Sequence, residues 1–258
     1  NTDANGTITT AYAYGGAGAD VANDIFQSEV VNTSIIVGSF EQSMTVGSQT
    51  LTSAGGKDGF LLGRWNNNLS TYLTKSFGGT DDDEALKIVG TGKYVFGIVM
   101  GGTIHIMGTF KGTATFPTNA GTATVASAGA RDLFDYTGQF NNIGNWFALF
   151  PKTAGGAGDE TLTALAESST LNAGGYQSVV FGGTTTQGMN FGSVVLPAGP
   201  FVANWGVANQ NSWAVSGTSG TVGGLGFDPN GNDIYGAING AGTFGNANLV
   251  SPGVIKLF

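Results

Sequence analysis

The chain has 258 residues, of which 45 are glycine and none is cysteine, and its formal net charge is −8. An apolar content of 41% argues against a disordered chain. The lack of clustered basic residues disfavours nucleic acid and anionic membrane surfaces as partners. Without cysteine there can be no disulfide, thiolate metal site or cysteine nucleophile. No apolar run is long enough to predict a transmembrane helix.

The first predicted strand lies at the N-terminus. Residues 6–14 are rich in threonine and tyrosine and lead directly into the pair Gly15-Gly16. The chain begins with Asn1 instead of methionine, which we interpret as a mature form whose signal peptide has been removed. This interpretation predicts an extracellular or cell-surface location.

Four short stretches after this pair have the composition of β-strands. Residues 34–40 form an apolar, β-branched run, and residues 44–52 read as a hairpin. An aromatic stretch follows at 58–62, and a last strand at 70–75 leads into Gly78-Gly79. The same series recurs in three further copies, listed by their first strand, hairpin and aromatic strand: 104–110, 114–125 and 132–136; 179–183, 189–196 and 201–205; 233–238, 242–250 and 254–258.

These copies predict a single domain built from an internal repeat. The repeats span about 17–79, 80–156, 157–220 and 221–258, and residues 1–16 complete the last one. The fourth copy ends after its aromatic strand, so it lacks the last strand of the others. We therefore predict an all-β fold, a β-propeller with four blades, in which the N-terminal strand completes the last blade. Five blades are the alternative, with extra strands supplied by an insertion at about 92–103.

The repeat resembles the bacterial SBBP-type β-propeller repeat of secreted and surface proteins. The resemblance is carried by Phe77-Gly78-Gly79 with Asp82, by the stretch 51–60 (LTSAGGKDGF), and by the stretch 228–236 (DPNGNDIYG). It covers nearly the whole chain, and each copy matches loosely. The resemblance implies a propeller fold and no enzyme activity.

Acidic residues are the first candidate site. Asp81-Asp82-Asp83-Glu84 follows one Gly-Gly pair, and Asp20 and Asp159-Glu160 hold similar places in other copies. Such carboxylates, and the oxygen-rich turn at 228–233, are of the kind that binds calcium, and paired carboxylates also serve glycosidases. The alternative is that they cap turns. The candidate calcium ligands are Asp81, Asp82, Asp83, Asp228, Asn230 and Asn232; we predict no other cofactor.

Two further features have structural interpretations. His105 is the only histidine and lies within a predicted strand. Serine-histidine catalysis would need a nucleophile and an orienting acid beside it, and we predict a structural role for a lone histidine in a strand. Aromatic residues recur at the strand positions and indicate packing between blades, with sugar stacking as the alternative; they are Trp65, Tyr72, Trp146, Trp205 and Trp213.

These observations favour a non-catalytic extracellular structural or adhesive module. A strand that completes its own ring can also complete a neighbour's, which predicts self-assembly into a filament. The candidate donor strand consists of Thr7, Ile8, Thr9, Thr10, Ala11, Tyr12, Ala13 and Tyr14. The alternatives are a carbohydrate-binding propeller that contacts surface glycans, a glycosidase, and a virion surface protein.

Overall fold

The fold is described from a computed structural model. It describes residues 5–7, 12–28, 33–64, 72–95, 98–140, 146–148, 151–171, 177–205, 212–230, 233–240, 242–245, 247–249 and 253–256. Within these ranges the chain is all-β, which confirms the predicted class, and it contains strands and turns but no helix. No helix in the described ranges therefore has the length and apolar character needed to cross a membrane.

The first half of the chain forms two large antiparallel sheets. In sheet 1, β2, β3, β4 and β5 follow one another, and β1 pairs with the far half of β3. In sheet 2, the order is β6, β7, β8, with β9 and β10 both paired to β8. The strands are β1 (Gly15–Ala17), β2 (Asp20–Ser28), β3 (Thr33–Val46), β4 (Gln49–Arg64), β5 (Tyr72–Phe77), β6 (Glu84–Val95), β7 (Ile98–Thr118), β8 (Gly121–Phe140), β9 (Trp146–Ala148) and β10 (Lys152–Ala154).

The second half forms two smaller sheets, each with a separate hairpin. Sheet 3 has the order β11, β12, β15, β16, and β13 pairs with β14. Sheet 4 has the order β17, β18, β21, and β19 pairs with β20. The strands are β11 (Glu160–Leu171), β12 (Gln177–Thr185), β13 (Met189–Phe191), β14 (Val194–Leu196), β15 (Gly199–Asn204), β16 (Trp213–Ser216), β17 (Thr221–Phe227), β18 (Ile234–Asn239), β19 (Gly242–Phe244), β20 (Ala247–Leu249) and β21 (Gly253–Lys256).

The four sheets share a local irregularity in their first strands. Each first strand carries one extra residue close to its start, opposite a regular second strand. The extra residues are Asn23, Leu86, Thr163 and Gly223. A β-bulge of this kind twists and redirects a strand, so its recurrence gives all four sheets the same geometry near the first strand.

Two of these bulges join one sheet to the next. The Asn23 side chain donates a hydrogen bond to the Ala85 carbonyl at 2.8 Å. The Thr163 hydroxyl donates to the Val222 carbonyl at 2.5 Å. Both acceptors are the residues just before the bulge of the following sheet. The first strands of sheets 1 and 2, and of sheets 3 and 4, therefore lie side by side.

Apolar clusters fill the spaces between consecutive sheets. One joins Ile35 and Leu61 of sheet 1 to Ile88 of sheet 2. A second joins sheets 2 and 3, and a third joins sheets 3 and 4 through Val202 and Val222. Burying apolar surface between sheets is the main favourable term in such a stack.

A glycine at the end of sheets 1, 2 and 3 contacts the hairpin of the following sheet. Gly78 pairs with Thr115, Gly155 with Asn190, and Gly217 with Phe244. At the start of the chain, Gly15 pairs with Thr45 as part of β1. The N-terminal segment thus contacts the hairpin of sheet 1 in the way that the end of each preceding sheet contacts the hairpins of sheets 2, 3 and 4.

The N-terminal strand itself differs from the prediction. The structure places the strand at Gly15–Ala17, whereas Tyr12, Ala13 and Tyr14 are not in a strand. Ile8, Thr9, Thr10 and Ala11 lie outside the described residues. Tyr14 packs on the apolar cluster of sheet 1 with Phe40 and Phe60, in the way that Phe77 packs with Phe110 and Phe134 of sheet 2.

Candidate functional sites at the sheet junctions

The acidic residues after the glycine pairs bind backbone groups. Carboxylate oxygens of Asp20, Asp83 and Glu160 accept hydrogen bonds from the second glycine of each pair, four residues earlier, at 2.8, 2.6 and 3.3 Å. Asp83 also accepts from the Lys111 backbone at 3.1 Å and is fully buried, as is Glu160. Of the roles weighed from the sequence, turn capping is the one that these contacts support.

Asp83 and Glu160 each face a second acidic residue from the preceding sheet. Asp58 of sheet 1 accepts from the Ala54 backbone at 3.1 Å, and Asp132 of sheet 2 accepts from Ala128 at 2.8 Å. Both side chains are buried, and in both the Oδ1 atom has no hydrogen-bond partner among the described residues. The junctions between sheets 1 and 2 and between sheets 2 and 3 therefore each contain a buried carboxyl pair.

The glycine pairs explain how two carboxyl groups fit there. A Cβ on Gly78 would lie 2.8 Å from Asp58 Oδ1 and 2.9 Å from Asp83 Oδ2, so only glycine leaves room between them. Gly78 also has a φ of 153°, within the region that favours glycine. A Cβ on Gly79 would overlap the Thr113 carbonyl of the next hairpin. The Gly-Gly signature is thus a requirement of the two junctions that contain a carboxyl pair.

Burial makes the charged forms of these carboxyl groups unfavourable. It raises the pKa of Asp58 to about 6, and it raises the pKa of Asp83 to about 7, with Asp58 adding to the effect. Burial likewise raises the pKa of Glu160 to about 7 and raises the pKa of Asp132. Two like charges this close cannot both ionise cheaply. Each pair can therefore retain a proton up to about neutral pH.

The free energy of unfolding should fall as the pH rises. Because the folded-state pKa values lie above the ordinary values of 3.8 and 4.5, this contribution is complete below about pH 4 and is lost as the pH passes through 6 to 7. We expect a fall of roughly 2–4 kcal/mol for each carboxyl pair, since each pKa unit corresponds to about 1.4 kcal/mol. Urea unfolding between pH 4 and pH 8 measures it.

The variant Asp58→Asn isolates one pair in that experiment. An amide at position 58 cannot ionise and keeps an oxygen for the Ala54 backbone, so stability at pH 8 should rise and the pH dependence should weaken. Asp81→Asn is the comparison variant, because Asp81 is partly exposed and lies 3.9 Å from Lys111; Asp81 is a smaller cause of the raised pKa of Asp83 than Asp58 is, so this variant should change the pH dependence less. Equal pH dependence in the wild type and both variants would contradict the retained proton.

Three of the six predicted calcium ligands, Asp82, Asp83 and Asp228, accept hydrogen bonds from backbone amides. Asp82 accepts from the Lys57 backbone at 3.1 Å, and Asp83 caps two backbone amides as described. Asp228 closes its own turn by accepting from Asn230 at 3.2 Å and Asp233 at 2.8 Å. Asn232 lies outside the described residues. No group of three or more metal-ligating side chains occurs in the part of the chain that the structure describes.

His105 forms a second buried polar cluster, which the sequence did not predict. Its Nδ1 lies 3.1 Å from both carboxylate oxygens of Asp135 and 3.3 Å from the Thr137 hydroxyl. Burial disfavours the charged imidazole, but the Asp135 carboxylate outweighs this, and the pKa of His105 is raised. Burial raises the pKa of Glu167, on the first strand of sheet 3, to about 7, against a lowering by His105.

This cluster is not arranged for nucleophilic catalysis. The hydroxyl and the carboxylate both contact the same nitrogen, whereas a triad needs them on opposite sides of the ring. His105 is only 3% exposed. The equivalent positions of sheet 1 are held by Ile35 and Leu61, which pack in the apolar cluster. We interpret the pair as a structural one.

Replacing His105 alone should be costly. His105→Ile leaves the Asp135 carboxylate buried and unpaired, and we expect a loss of about 3–5 kcal/mol in the free energy of unfolding. The double variant His105→Ile/Asp135→Leu copies sheet 1 and should recover most of that loss. Urea unfolding at pH 6 provides the comparison. A double variant less stable than the single one would show that the cluster is not replaceable by apolar packing.

Two of the aromatic residues singled out in the sequence, Trp205 and Trp213, pack on apolar clusters. Trp205 is 8% exposed and stacks on Phe181, with ring centroids 4.6 Å apart. Trp213 packs on the cluster between sheets 3 and 4. Trp65 lies outside the described residues, and the side chains of Tyr72 and Trp146 do as well. Packing is thus the role observed for the two tryptophans that can be placed.

The sequence missed Asp58, Asp132, Asp135 and Glu167 as members of buried clusters. A signal for the first two exists, because Ser-Ala-Gly followed by aspartate three residues later occurs in both the first and the second copies. Comparisons with known proteins add no family: no family model matches the chain, and no curated protein matches it.

Proposed function

We propose that this chain is a non-catalytic, extracellular structural or adhesive module with a β-propeller-type repeat, and that it self-assembles through its N-terminal segment. The observation that carries the proposal is the position of Tyr14 to Gly16. They contact sheet 1 as Phe77 to Gly79 contact sheet 2, through equivalent backbone contacts and equivalent apolar clusters.

The equivalence implies a fourth strand that precedes sheet 1. In sheet 1, the residues before Phe77 form β5, the last strand of that sheet. By the same geometry, the residues before Tyr14 would form the last strand of another sheet. Sheet 4 has three strands in the described part of the chain, with β21 paired to β18. The edge of β21, in the same chain or in a neighbour, is the proposed acceptor.

The composition of the surface suits a structural role. Only 10% of the residues are charged, and threonines pair across exposed strands, as Thr115 with Thr124 at 3.1 Å and Thr161 with Thr184 at 2.7 Å. Such cross-strand pairs stabilise a sheet without charge. The buried polar clusters described above contact backbone and one another, which supports a scaffold over an active site.

Removal of the N-terminal segment tests the assembly. Protein beginning at Gly15 should be monomeric in light scattering, whereas the full chain should show larger species that appear as filaments in negative-stain images. Protein beginning at Gly6 is the control, because it loses five residues but keeps the donor strand, and it should assemble like the full chain. If all three proteins were monomers of equal stability, strand donation would be excluded.

A further inference from the structure

The two ends of the array of sheets expose apolar side chains that the inner junctions bury. We call the side of a sheet that faces the preceding sheet its front, and the opposite side its back. In each sheet, the front position is the second residue after the bulge of the first strand that pairs with the second strand. The back position is the second-strand residue that pairs with the third such residue.

The front position is apolar in all four sheets. Ile88 of sheet 2 is 4% exposed and shares a cluster with Ile35 of sheet 1. Leu165 and Leu225 are partly buried against sheets 2 and 3. Ile25 of sheet 1 is 58% exposed. The front of sheet 1 therefore lacks the cover that this position has in the other sheets.

The back position shows the complementary pattern. Ile35, His105 and Val180 hold it in sheets 1, 2 and 3 and are exposed by 3% or less. Tyr235 holds it in sheet 4 and is 38% exposed. Its ring is apolar and its hydroxyl is polar, which suits an interface residue that is wet in the free protein.

We propose that the front of sheet 1 docks on the back of sheet 4 of a second copy of this chain. The fronts of sheets 2, 3 and 4 already pack on a preceding back, so the docking repeats an arrangement found three times within the chain. The chain's own sheet 4 leaves Ile25 and Tyr235 exposed, so a second copy is the occupant that covers both. Front-to-back contact is heterologous, and a heterologous contact builds an open array when its rotation does not close a ring.

This inference deepens the proposed self-assembly and rests on it, but it concerns side chains outside the N-terminal segment. Single variants of the full chain test it: Ile25→Asp destroys the front and Tyr235→Asp destroys the back. Val195→Asp is the matched control, because Val195 is 75% exposed on the β13–β14 hairpin, away from both faces, and the change in charge is the same. Circular dichroism checks that each variant folds, with Ile25→Thr and Tyr235→Thr as substitutes where an aspartate variant does not.

Sedimentation velocity should show assembly of the wild type and of Val195→Asp, and monomers for Ile25→Asp and for Tyr235→Asp alone. An equimolar mixture of the two monomeric variants should form a dimer and nothing larger, because one retains an intact back and the other an intact front. Mixing either variant with wild type should shorten the assemblies.

The contrary outcomes are distinct. Wild type that stays monomeric at all concentrations would overturn the proposal, as would face variants that assemble like wild type. If the front of sheet 1 instead packs on the back of sheet 4 of the same molecule, the wild type would be monomeric and both face variants would be less stable than the wild type. If protein beginning at Gly15 still assembles and the mixture still dimerises, the faces carry assembly and the strand does not. If that truncation abolishes assembly while the face variants assemble, the reverse holds.

Discussion

The contact between the end of one sheet and the hairpin of the next sets the organisation of this protein. The glycine pair must be small because a carboxyl group lies on one side and a neighbouring backbone on the other. The acid four residues later returns to cap the second glycine. Sheets 1 and 2, and sheets 2 and 3, are thereby joined by backbone pairing, by a capped turn and by an apolar cluster within a few residues. Sheets 3 and 4 share the backbone pairing of Gly217 and an apolar cluster.

This constraint explains which parts of the fold the sequence could predict. Gly-Gly pairs, β-branched runs and hairpin turns are local, so the copies and their strands were readable from residue order, and the all-β class is confirmed. The acids after each pair were also visible, but their role depends on Asp58 and Asp132, which lie 25 and 28 residues earlier than their partners. Nothing in the local pattern shows that these side chains meet across a junction.

The His105 cluster shows a different limit. In sheet 1 the equivalent positions are Ile35 and Leu61, an ordinary apolar pair, whereas sheet 2 has histidine and aspartate. A lone strand histidine gave the structural interpretation, which its 3% exposure supports. Its partners could not be named, because Asp135 is set by the register of β7 on β8 and Glu167 by the packing of sheet 3 on sheet 2. Register and sheet packing are tertiary properties.

The repetition of this junction also explains the two outer faces of the array, the front of sheet 1 and the back of sheet 4. Within the chain, the fronts of sheets 2, 3 and 4 each pack on the back of the preceding sheet, so the side chains at these positions are covered at three junctions. At the ends the chain presents Ile25 and Tyr235, each of a type that the inner junctions bury. In a stack of repeated sheets, each sheet contacts only its neighbours, so the stack ends only where a sheet has a different, capping outer face. Apolar residues retained at both outer faces are what continuation by a further sheet requires, whereas a capped end would carry polar residues there.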